Sequence, residues 1–553
     1  MTTSSLLLSR AASERRWAAP LALVALPFAP VLAAPWVGYD VSTVRGAVVL
    51  AEVACVLVLT TPARLVEGWR AVPGWARWAV AVWGGWMVVT TVLAAHPGPA
   101  ALRTAEWIAH LAFLGAVWDA ARGSDRRAED VLRWSGGAAL WLCVGAAAWW
   151  CVSAWTGGEP SGRSTPLAGV RNVGIYALSG LALWLGAVGR DRPSAYWCAL
   201  WSSGWAVLGW NGGRASLGAG LVLIAAWWLL SRPRARLAIA VGGAALGGLA
   251  ASLVLPHDAH MGLSRLLSRA TAVGERYGSG RTELWAHVLS AWGERPWVGL
   301  GGDGPAFALA DHTYSHNVAV QALGEWGIVG AGAFGALLVG TALGLVRVAW
   351  RLRRPARAAA AAGLLAALGN GLLDGVFYGA LSLALLAVLV GVGLGARSTP
   401  RPGRPGAPAP WGARAVAAAL ALIAGVAGLH LAASGARYAA GSPAPGSAQA
   451  RVALATTTSY RQTEVLWWAK DWAREHPEAS LRAARWGQRH TRTPWAFLAL
   501  EGDLHAAAGD SARAAELWRR AGESLAGSYP ARVAASRAPE RAAGAAPRAG
   551  DEP

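Results

Sequence analysis

The residues best suited to chemistry lie in one polar interval between two apolar segments. This interval, residues 256–327, holds five of the eleven histidines: His257, His260, His287, His312 and His316. An imidazole exchanges protons near neutral pH and also binds metal ions, so the clustering indicates proton transfer or metal binding. The closest pairs lie three and four residues apart without a helical HExxH signature. We therefore expect no metal site.

His316 stands at the end of this interval, shortly before an apolar segment restarts at Ile328. It is either a proton-transfer group or a hydrogen-bonded histidine that ties the loop to the next helix. The adjacent Asn317 is expected to hold the imidazole or to cap that helix. Glu325 is expected to interact with His316 or to be a solvated carboxylate at the membrane surface. Both alternatives stay open for each residue.

The same interval contains a literal GxGxxG pattern at residues 299–304. A dinucleotide site would need a strand before this pattern and a nucleotide-binding helix after it, and the sequence offers no such unit. We expect instead a tight backbone turn that brings His312 and His316 toward the membrane.

The elements that position these residues are transmembrane helices. The 553-residue chain is 54% hydrophobic and only 15% charged, with a mean hydropathy of +0.35. A helix needs about 20 apolar residues to cross a bilayer, and such runs recur along the chain. The sequence predicts an all-α, polytopic membrane protein with twelve or thirteen transmembrane helices. The predicted spans are Trp17–Val37, Val44–Thr61, Trp75–Ala94, Glu106–Ala121, Ser135–Trp155, Val173–Val188, Ala195–Trp210, Ala215–Leu230, Leu237–Val254, Ile328–Trp350, Ala358–Leu373, Tyr378–Leu394 and Val416–Ala432.

The arginines lie in every second loop, which is the pattern of cytoplasmic loops. The net charge of +19 therefore reflects membrane orientation, and we expect no nucleic-acid partner. The N-terminus is predicted to be cytoplasmic, while the loop at 256–327 and the C-terminal region face outward. Residues near Ala33 also permit a cleaved signal peptide, although a retained first helix is preferred.

The chain is predicted to have five regions: N-terminal transmembrane helices (1–170), a core with the outward loop (171–396), a linker and last transmembrane helix (397–432), a soluble helical domain (433–531) and a disordered tail (532–553). In the soluble domain five residues have the offsets of one tetratricopeptide unit: Gly502, Gly509, Ala514, Trp518 and Ala521. A plain helical bundle is the alternative. A repeat surface would bind a protein partner.

Residues 171–391 resemble the O-antigen ligase-like membrane proteins, a family that includes O-antigen polymerases and bacterial protein O-oligosaccharyltransferases. The similar motifs are His316-Asn317 followed after nine residues by Gly327-x-x-Gly330, the approach Gly280-Arg281-Thr282-Glu283-Leu284-Trp285 with Pro296, Gly299, Gly301 and Phe307, and the stretch Asn211-Gly212-Gly213-Arg214-Ala215-Ser216. The family more often has Ser before the arginine, where this chain has Gly213. Asp374 occupies a polar position of the family's last helices but lacks the usual neighbouring histidine, so no role is assigned to it.

The resemblance implies transfer of a glycan from undecaprenyl diphosphate to an acceptor hydroxyl, with inversion, at the outer face of the bacterial inner membrane. A histidine would take the acceptor proton and arginines would meet the diphosphate. His316, Arg214 and Arg281 are then the catalytic candidates, and Arg171, Asn317 and Glu325 the substrate-binding candidates. The alternatives are interfacial anchoring for Arg171 and Arg214, and a loop salt bridge to Glu283 or Glu275 for Arg281.

No cofactor is expected, because the sequence lacks the Asp-x-Asp clamp of nucleotide-sugar glycosyltransferases. The acceptor, which is a lipid, a growing glycan or a protein, decides between ligase, polymerase and protein oligosaccharyltransferase. A transporter of lipid-linked glycans is the rival from another class, since it too would need arginines near a diphosphate. A membrane anchor for an envelope complex is a third possibility, in which the residues of the loop would have no chemical role.

Overall fold

The structure is a computed structural model that describes residues 19–33, 41–122, 124–155, 170–188, 193–256, 261–263, 281–309, 314–395, 410–440, 447, 462–490 and 493–526. Within these ranges the chain forms helices, turns and irregular segments, without a β-strand. The prediction of an all-α protein is confirmed. The predictions for His257, His260, His312 and Glu275, and for the tail at 532–553, concern residues outside the described ranges.

Twenty helices follow one another along the described chain. The first ten are α1 (Ala19–Ala33), α2 (Val41–Leu59), α3 (Pro62–Ala71), α4 (Gly74–Leu93), α5 (Pro97–Ala121), α6 (Asp125–Trp155), α7 (Val170–Gly186), α8 (Ala195–Asn211), α9 (Arg214–Ser231) and α10 (Ala235–Ser252). The others are α11 (Arg281–Gly293), α12 (Gly304–Ala308), α13 (Val318–Leu352), α14 (Pro355–Gly371), α15 (Ala380–Gly395), α16 (Pro410–Ala440), α17 (Gln462–Glu475), α18 (Pro477–His490), α19 (Pro494–Ala507) and α20 (Ser511–Ala526).

Several of these helices are membrane spans by length and composition. In the described part of the chain five are both long and apolar enough, namely α4, α6, α9, α10 and α13, and a sixth span results if α2 and α3, bent by 87°, count as one. The apolar parts of α1, α7, α15 and α16 are shorter. The polytopic membrane protein is thus confirmed, while the count of twelve or thirteen spans stays a prediction.

Two ends of the helical bundle differ in chemistry. At one end Arg353 donates to the carbonyl of Leu229 at 3.0 Å, and Arg354 pairs with Asp125. At the other end Asn317 donates to the carbonyl of Leu372, and Ser216 bonds Asn370. The arginine-rich loops and His316 therefore lie at opposite ends, as the loop pattern predicts. Which end faces the cytoplasm stays a prediction.

A break in α13 shapes the end that carries His316. The sequence predicts a helix from Ile328, whereas the helix begins at Val318 and is interrupted at Gly327, whose φ of 63° and ψ of −170° are nearly exclusive to glycine. A Cβ on Gly327 would also overlap the carbonyl of Trp297. The residues before Gly327 thus form a separate short helix, which carries Gln321 and Glu325 into the protein.

The Gly-rich segment at 299–304 completes this break. An interrupted helix leaves carbonyl oxygens without their usual partners, and burying them unpaired is costly. Leu300 and Gly301 donate their backbone N–H groups to the carbonyls of Gly324 and Glu325 at 2.7 and 3.0 Å. The Trp86 indole N–H donates to the carbonyl of Trp326 at 2.9 Å. A tight turn is present in this segment, and its glycines permit the close backbone approach, while its bringing His312 and His316 toward the membrane stays a prediction.

The C-terminal helices α17–α20 pack in consecutive antiparallel pairs. Val465, Trp468 and Phe497 belong to one buried cluster, and Leu517 belongs to a second. Gly502 lies against Trp518, since a Cβ there would come 2.6 Å from the indole ring. The described residues of this region are mostly helical, while their forming a separate soluble domain stays a prediction. Its assignment as a tetratricopeptide repeat stays a prediction.

Candidate functional site

His316 occupies a left-handed backbone conformation with φ of 55°, which is uncommon for a residue with a Cβ. Its neighbour Ser315 is fixed on three sides. The Ser315 N–H donates to Gln321 Oε1 at 2.9 Å, its hydroxyl donates to the Asn317 carbonyl at 2.9 Å, and its carbonyl accepts from the Trp285 indole at 2.8 Å. Strained residues persist where their surroundings determine them, and they concentrate at functional sites.

Asn317 is the N-cap of α13. Its Oδ1 accepts from the N–H groups of Ala319 and Val320 at 2.9 and 3.1 Å, and its Nδ2 donates to the carbonyl of Leu372 at 3.1 Å. Of the two alternatives, the structure therefore shows the cap. The bond to Leu372 also ties the start of α13 to the turn after α14, which carries Asp374. Contact of Asn317 with a substrate stays a prediction.

Asp374 is the principal partner of His316. The imidazole Nδ1 lies 3.0 Å from Asp374 Oδ1, and the same oxygen accepts the Gly375 N–H at 2.8 Å. Arg281, the first residue of α11, places Nη2 3.9 Å from Asp374 Oδ2. The side chains of His316 and Asp374 are 14% and 16% exposed, so the pair is shielded yet reachable. Two of the three predicted catalytic residues thus meet at an acid to which the sequence assigned no role.

The carboxylate of Asp374 determines which imidazole nitrogen of His316 carries the proton in the neutral ring. Burial alone would raise the pKa of Asp374, but the hydrogen bond and charge of His316, the Gly375 N–H and the Arg281 guanidinium together hold that pKa below its ordinary value. An ionised carboxylate only accepts hydrogen bonds, so Nδ1 carries the proton that faces it. Nε2 is then the basic atom of a neutral His316.

Arg214 begins α9 at the same end of the bundle. Ser216, two residues later, bonds Asn370, which lies four residues before Asp374. The Arg214 side chain is exposed. A cation at a helix N-terminus is unfavourable by itself because both carry positive charge. An anion bound there would remove this cost.

The remaining predicted residues are placed as follows. Arg171 is in the first turn of α7. The start of α7 lies close to the end of α8, as shown by Gly174, where an added Cβ would come 2.5 Å from Asn211 Oδ1. The Arg171 side chain lies outside the described parts of the structure. Among the described residues no group of three His, Cys, Asp or Glu side chains is arranged to hold a metal.

One of the two predictions for Glu325, a solvated carboxylate at the membrane surface, is wrong because this residue is 0% exposed. Its carboxylate accepts from Gln321 Nε2 at 2.7 Å and from Arg103 Nε at 3.5 Å. The helix break carries Glu325 into the protein, where Arg103 of α5 supplies the compensating charge. A substrate contact of Glu325 stays a prediction.

Glu325 belongs to a buried ion cluster that sequence reasoning missed. This ion cluster consists of Arg45, Arg103, Glu106, Asp303 and Glu325. Arg45 Nη1 lies 2.5 Å from Asp303 Oδ2, and Arg103 Nη1 lies 2.8 Å from Glu106 Oε2. Asp303 is the acid of the Gly-rich segment, so the ion cluster connects this segment to α2 and α5.

Next to the ion cluster, Glu52 and His110 are joined at 2.6 Å, and both are buried. The prediction that these two residues face the bundle interior is confirmed. Arg45, Arg103 and Glu106 stand in or beside apolar stretches, and that position is the signal from which they could have been found. Asp303 lies in the Gly-rich segment and gives no such signal.

A small cavity of about 20 Å³ lies between His316 and the ion cluster. Its lining includes His316, Asp374, Gln321, Glu325 and Arg103. This volume accommodates one water molecule, since about 10–15 Å³ of such space suffices. The site therefore has a basic imidazole atom, a carboxylate that orients it, and cations on two sides.

Comparison with known proteins bears on the part of the chain that carries His316 and Arg281. A search of curated proteins found no match. Residues 197–335 match the family model described as O-antigen ligase, and the matched region runs from α8 into α13 and includes Arg214, Arg281 and His316. The family supports glycan transfer of the ligase or polymerase type in general. The match over residues 197–335, within a helical membrane architecture, supports a similarity of this part of the chain to the O-antigen ligase family.

Proposed function

We propose that the protein transfers a glycan from undecaprenyl diphosphate to an acceptor hydroxyl, with inversion at the transferred sugar. The observation that carries this proposal is the His316–Asp374 pair at 3.0 Å with Arg281 beside it. The three residues come from the loop before α13, the turn after α14 and the start of α11. An enzyme that activates a hydroxyl next to an anionic leaving group needs this combination of base and cation.

His316 is the proposed general base. Asp374 holds the Nδ1 proton, and Nε2 takes the proton of the acceptor hydroxyl as that oxygen attacks the anomeric carbon. The new bond joins the acceptor oxygen to this carbon, while the bond from the carbon to the phosphate oxygen breaks. The electron pair of the broken bond stays on the departing lipid diphosphate. Attack from the face opposite the diphosphate accounts for inversion.

Arg281 and Arg214 are proposed to receive the charge that develops on the diphosphate. One guanidinium group can donate two parallel hydrogen bonds to two oxygens of a phosphate, and it remains charged at all relevant pH values. The Nη2 of Arg281 is 3.9 Å from Asp374, so this ion pair is long and the arginine is 26% exposed. Arg214 is exposed at the helix start. Both arginines are thus free to turn toward an anion.

The acceptor class and the cellular setting belong to the proposal as well. The site is proposed to face outward from the bacterial inner membrane, with Arg171, Asn317 and Glu325 near the donor or acceptor. The acceptor is proposed to be lipid-anchored, as in O-antigen ligases; a growing glycan or a protein would make the enzyme a polymerase or an oligosaccharyltransferase. The helices α17–α20 are proposed to hold a partner protein.

The test is His316→Ala in cells that lack the native gene, with His476→Ala as control. His476 is exposed on the C-terminal domain. A general base contributes on the order of 10²- to 10⁴-fold to a rate, so His316→Ala is expected to lower glycan transfer by about that factor while the lipid-linked donor accumulates outside. Protein in the membrane fraction is measured in parallel. Unchanged transfer would contradict the mechanism, and lost export of the donor would favour the transporter.

A further inference from the structure

Two tyrosines connect His316 to the buried ion cluster. The Tyr314 ring lies 4.4 Å from the His316 ring, centroid to centroid, with an interplanar angle of 53°. Its centroid is 4.6 Å from that of Tyr378, and the two tyrosine rings are stacked at 30°. Gly375 makes room for Tyr314, because any Cβ there would overlap the Tyr314 ring. Tyr314 is therefore wedged between His316, the turn that carries Asp374, and Tyr378.

Tyr378 is in turn held by the ion cluster. The guanidinium carbons of Arg45 and Arg103 lie 4.5 and 4.9 Å from its ring centroid, within the range of cation–π attraction. Its hydroxyl donates to Asp303 Oδ1 at 3.0 Å, and Asp303 also accepts from Arg45. Groups on α2, α5 and the Gly-rich segment thus fix one tyrosine ring from several directions.

We propose that Tyr314 is a positioning residue for His316. Tyr378, which the ion cluster holds in place, in turn holds the Tyr314 ring in position. The hydrogen bond to Asp374 fixes one ring atom, but rotation about that bond still moves Nε2. An aromatic face against the imidazole restricts this rotation, since paired rings have preferred orientations. A displacement of about 1 Å can lower a rate on the order of 100-fold. The catalytic part of the proposal rests on the proposed function; the positioning part does not.

The first experiment compares Tyr314→Phe with Tyr314→Leu in full-length protein. Phenylalanine keeps the ring contact and leucine removes it. We expect kcat of Tyr314→Leu to fall about two- to thirteenfold, the span of measured aromatic-pair energies, with the donor KM unchanged. Tyr314→Phe should keep kcat within about twofold because the ring contact remains. Equal loss in both variants would show that the hydroxyl is what matters and would overturn the proposal.

A second measurement does not depend on glycan transfer. Diethyl pyrocarbonate modifies imidazole nitrogens, and mass spectrometry of the peptide that contains His316 gives the rate of its modification. Tyr314→Leu should change this rate by at least about twofold, and Tyr314→Phe should not. If His316→Ala retains transfer but Tyr314→Leu alters the modification rate, the proposed function fails and the positioning stands. An unaltered rate in Tyr314→Leu overturns the positioning.

Tyr378→Phe tests the connection to the ion cluster and also covers the case in which Tyr314→Leu is absent from the membrane fraction. It removes only the hydroxyl that bonds Asp303 and leaves the ring. We expect a smaller decrease in kcat, with a matching change in His316 modification. The control is Tyr196→Phe. The hydroxyl of Tyr196 accepts from the Trp141 indole at 3.0 Å, and Tyr196 lies at the start of α8, at the opposite end of the bundle. Identical behaviour of Tyr378→Phe and this control would refute the connection.

Discussion

Replacing Asp374 with Asn tests the central pair of the site with almost no change in shape. The oxygen that accepts from both His316 Nδ1 and the Gly375 N–H then belongs to a neutral amide, and it can keep both bonds only while the amide oxygen stays in that position. If the amide turns its NH₂ group toward Nδ1, that atom must accept, and the proton moves to Nε2. Nε2 would then be unable to take a proton from the acceptor.

The size of the effect follows from the type of hydrogen bond. A bond to a charged group contributes about 1.5–3 kcal/mol, compared with about 1 kcal/mol for a neutral one. Since 1.36 kcal/mol is a tenfold change in rate, loss of the full interaction lowers kcat about 10- to 150-fold. Asp374 is 16% exposed, so solvent screens the pair only in part. The turned amide would add to this loss.

The assay is glycan transfer in membranes at saturating donor, with kcat and donor KM determined separately. Asp471→Asn, an exposed site on α17, is the matched control. Asp374→Asn is expected to lower kcat with little change in KM. Transfer within twofold of the native rate would refute the role of Asp374. A change confined to KM would instead show that Asp374 acts through Arg281.

Four further predictions concern Arg281, Gly327, Asn317 and Glu501. Arg281→Lys should lower transfer at least about tenfold, because a lysine cannot bind phosphate oxygens in a paired fashion; kcat and donor KM report the loss. Gly327→Ala should destabilise the protein by about 1–3 kcal/mol from backbone strain alone, seen as a lower melting temperature in detergent, whereas Gly335→Ala on the same helix has open space and serves as control. Asn317→Ala loses the cap, at a cost of about 0.5–2 kcal/mol, and Asn317→Ser should recover most of the melting temperature. Burial raises the pKa of Glu501, but hydrogen bonds from Gln488 and Arg485 bring this pKa below its ordinary value. The ionised carboxylate therefore stabilises the folded C-terminal helices; this contribution is complete above about pH 4.3 and is lost as the pH falls through the pKa of the folded state. Glu501→Gln should therefore speed proteolysis of these helices at pH 7.

Sequence patterns were sufficient where the information is local. Continuous apolar runs predict the helices, and the restart at Ile328 coincides with the break at Gly327. The two motifs that bring His316 and Arg281 to the site are also local. The start of α5 was placed at Glu106 instead of Pro97, because Arg103 and Glu106 interrupt the hydrophobicity. Their charges are tolerated there because Arg103 pairs with Glu106 and Glu325, while Glu106 also pairs with Arg45.

The missing parts of the site depend on partners that are distant in sequence. Asp374 is 58 residues from His316, and Arg103 is 222 residues from Glu325. A lone carboxylate beside an apolar helix indicates a buried or interfacial pair, but it does not say which partner the fold supplies. For this reason the sequence leaves two alternatives open for Glu325, contact with His316 and a solvated position at the membrane surface. The tyrosine stack likewise joins residues from two separate connections.

The break in α13 has a consequence for the order in which the protein is made. Residues 296–301 leave the ribosome before residues 324–328, so the backbone N–H groups of Leu300 and Gly301 exist before the carbonyls that they satisfy. These hydrogen bonds can form only after the short helix before Gly327 has been made and has packed against the Gly-rich segment. A long insertion between residues 301 and 324 would delay this docking and leave unpaired carbonyls at the bilayer surface. The length of that connection is therefore constrained by membrane insertion as well as by the geometry of the site.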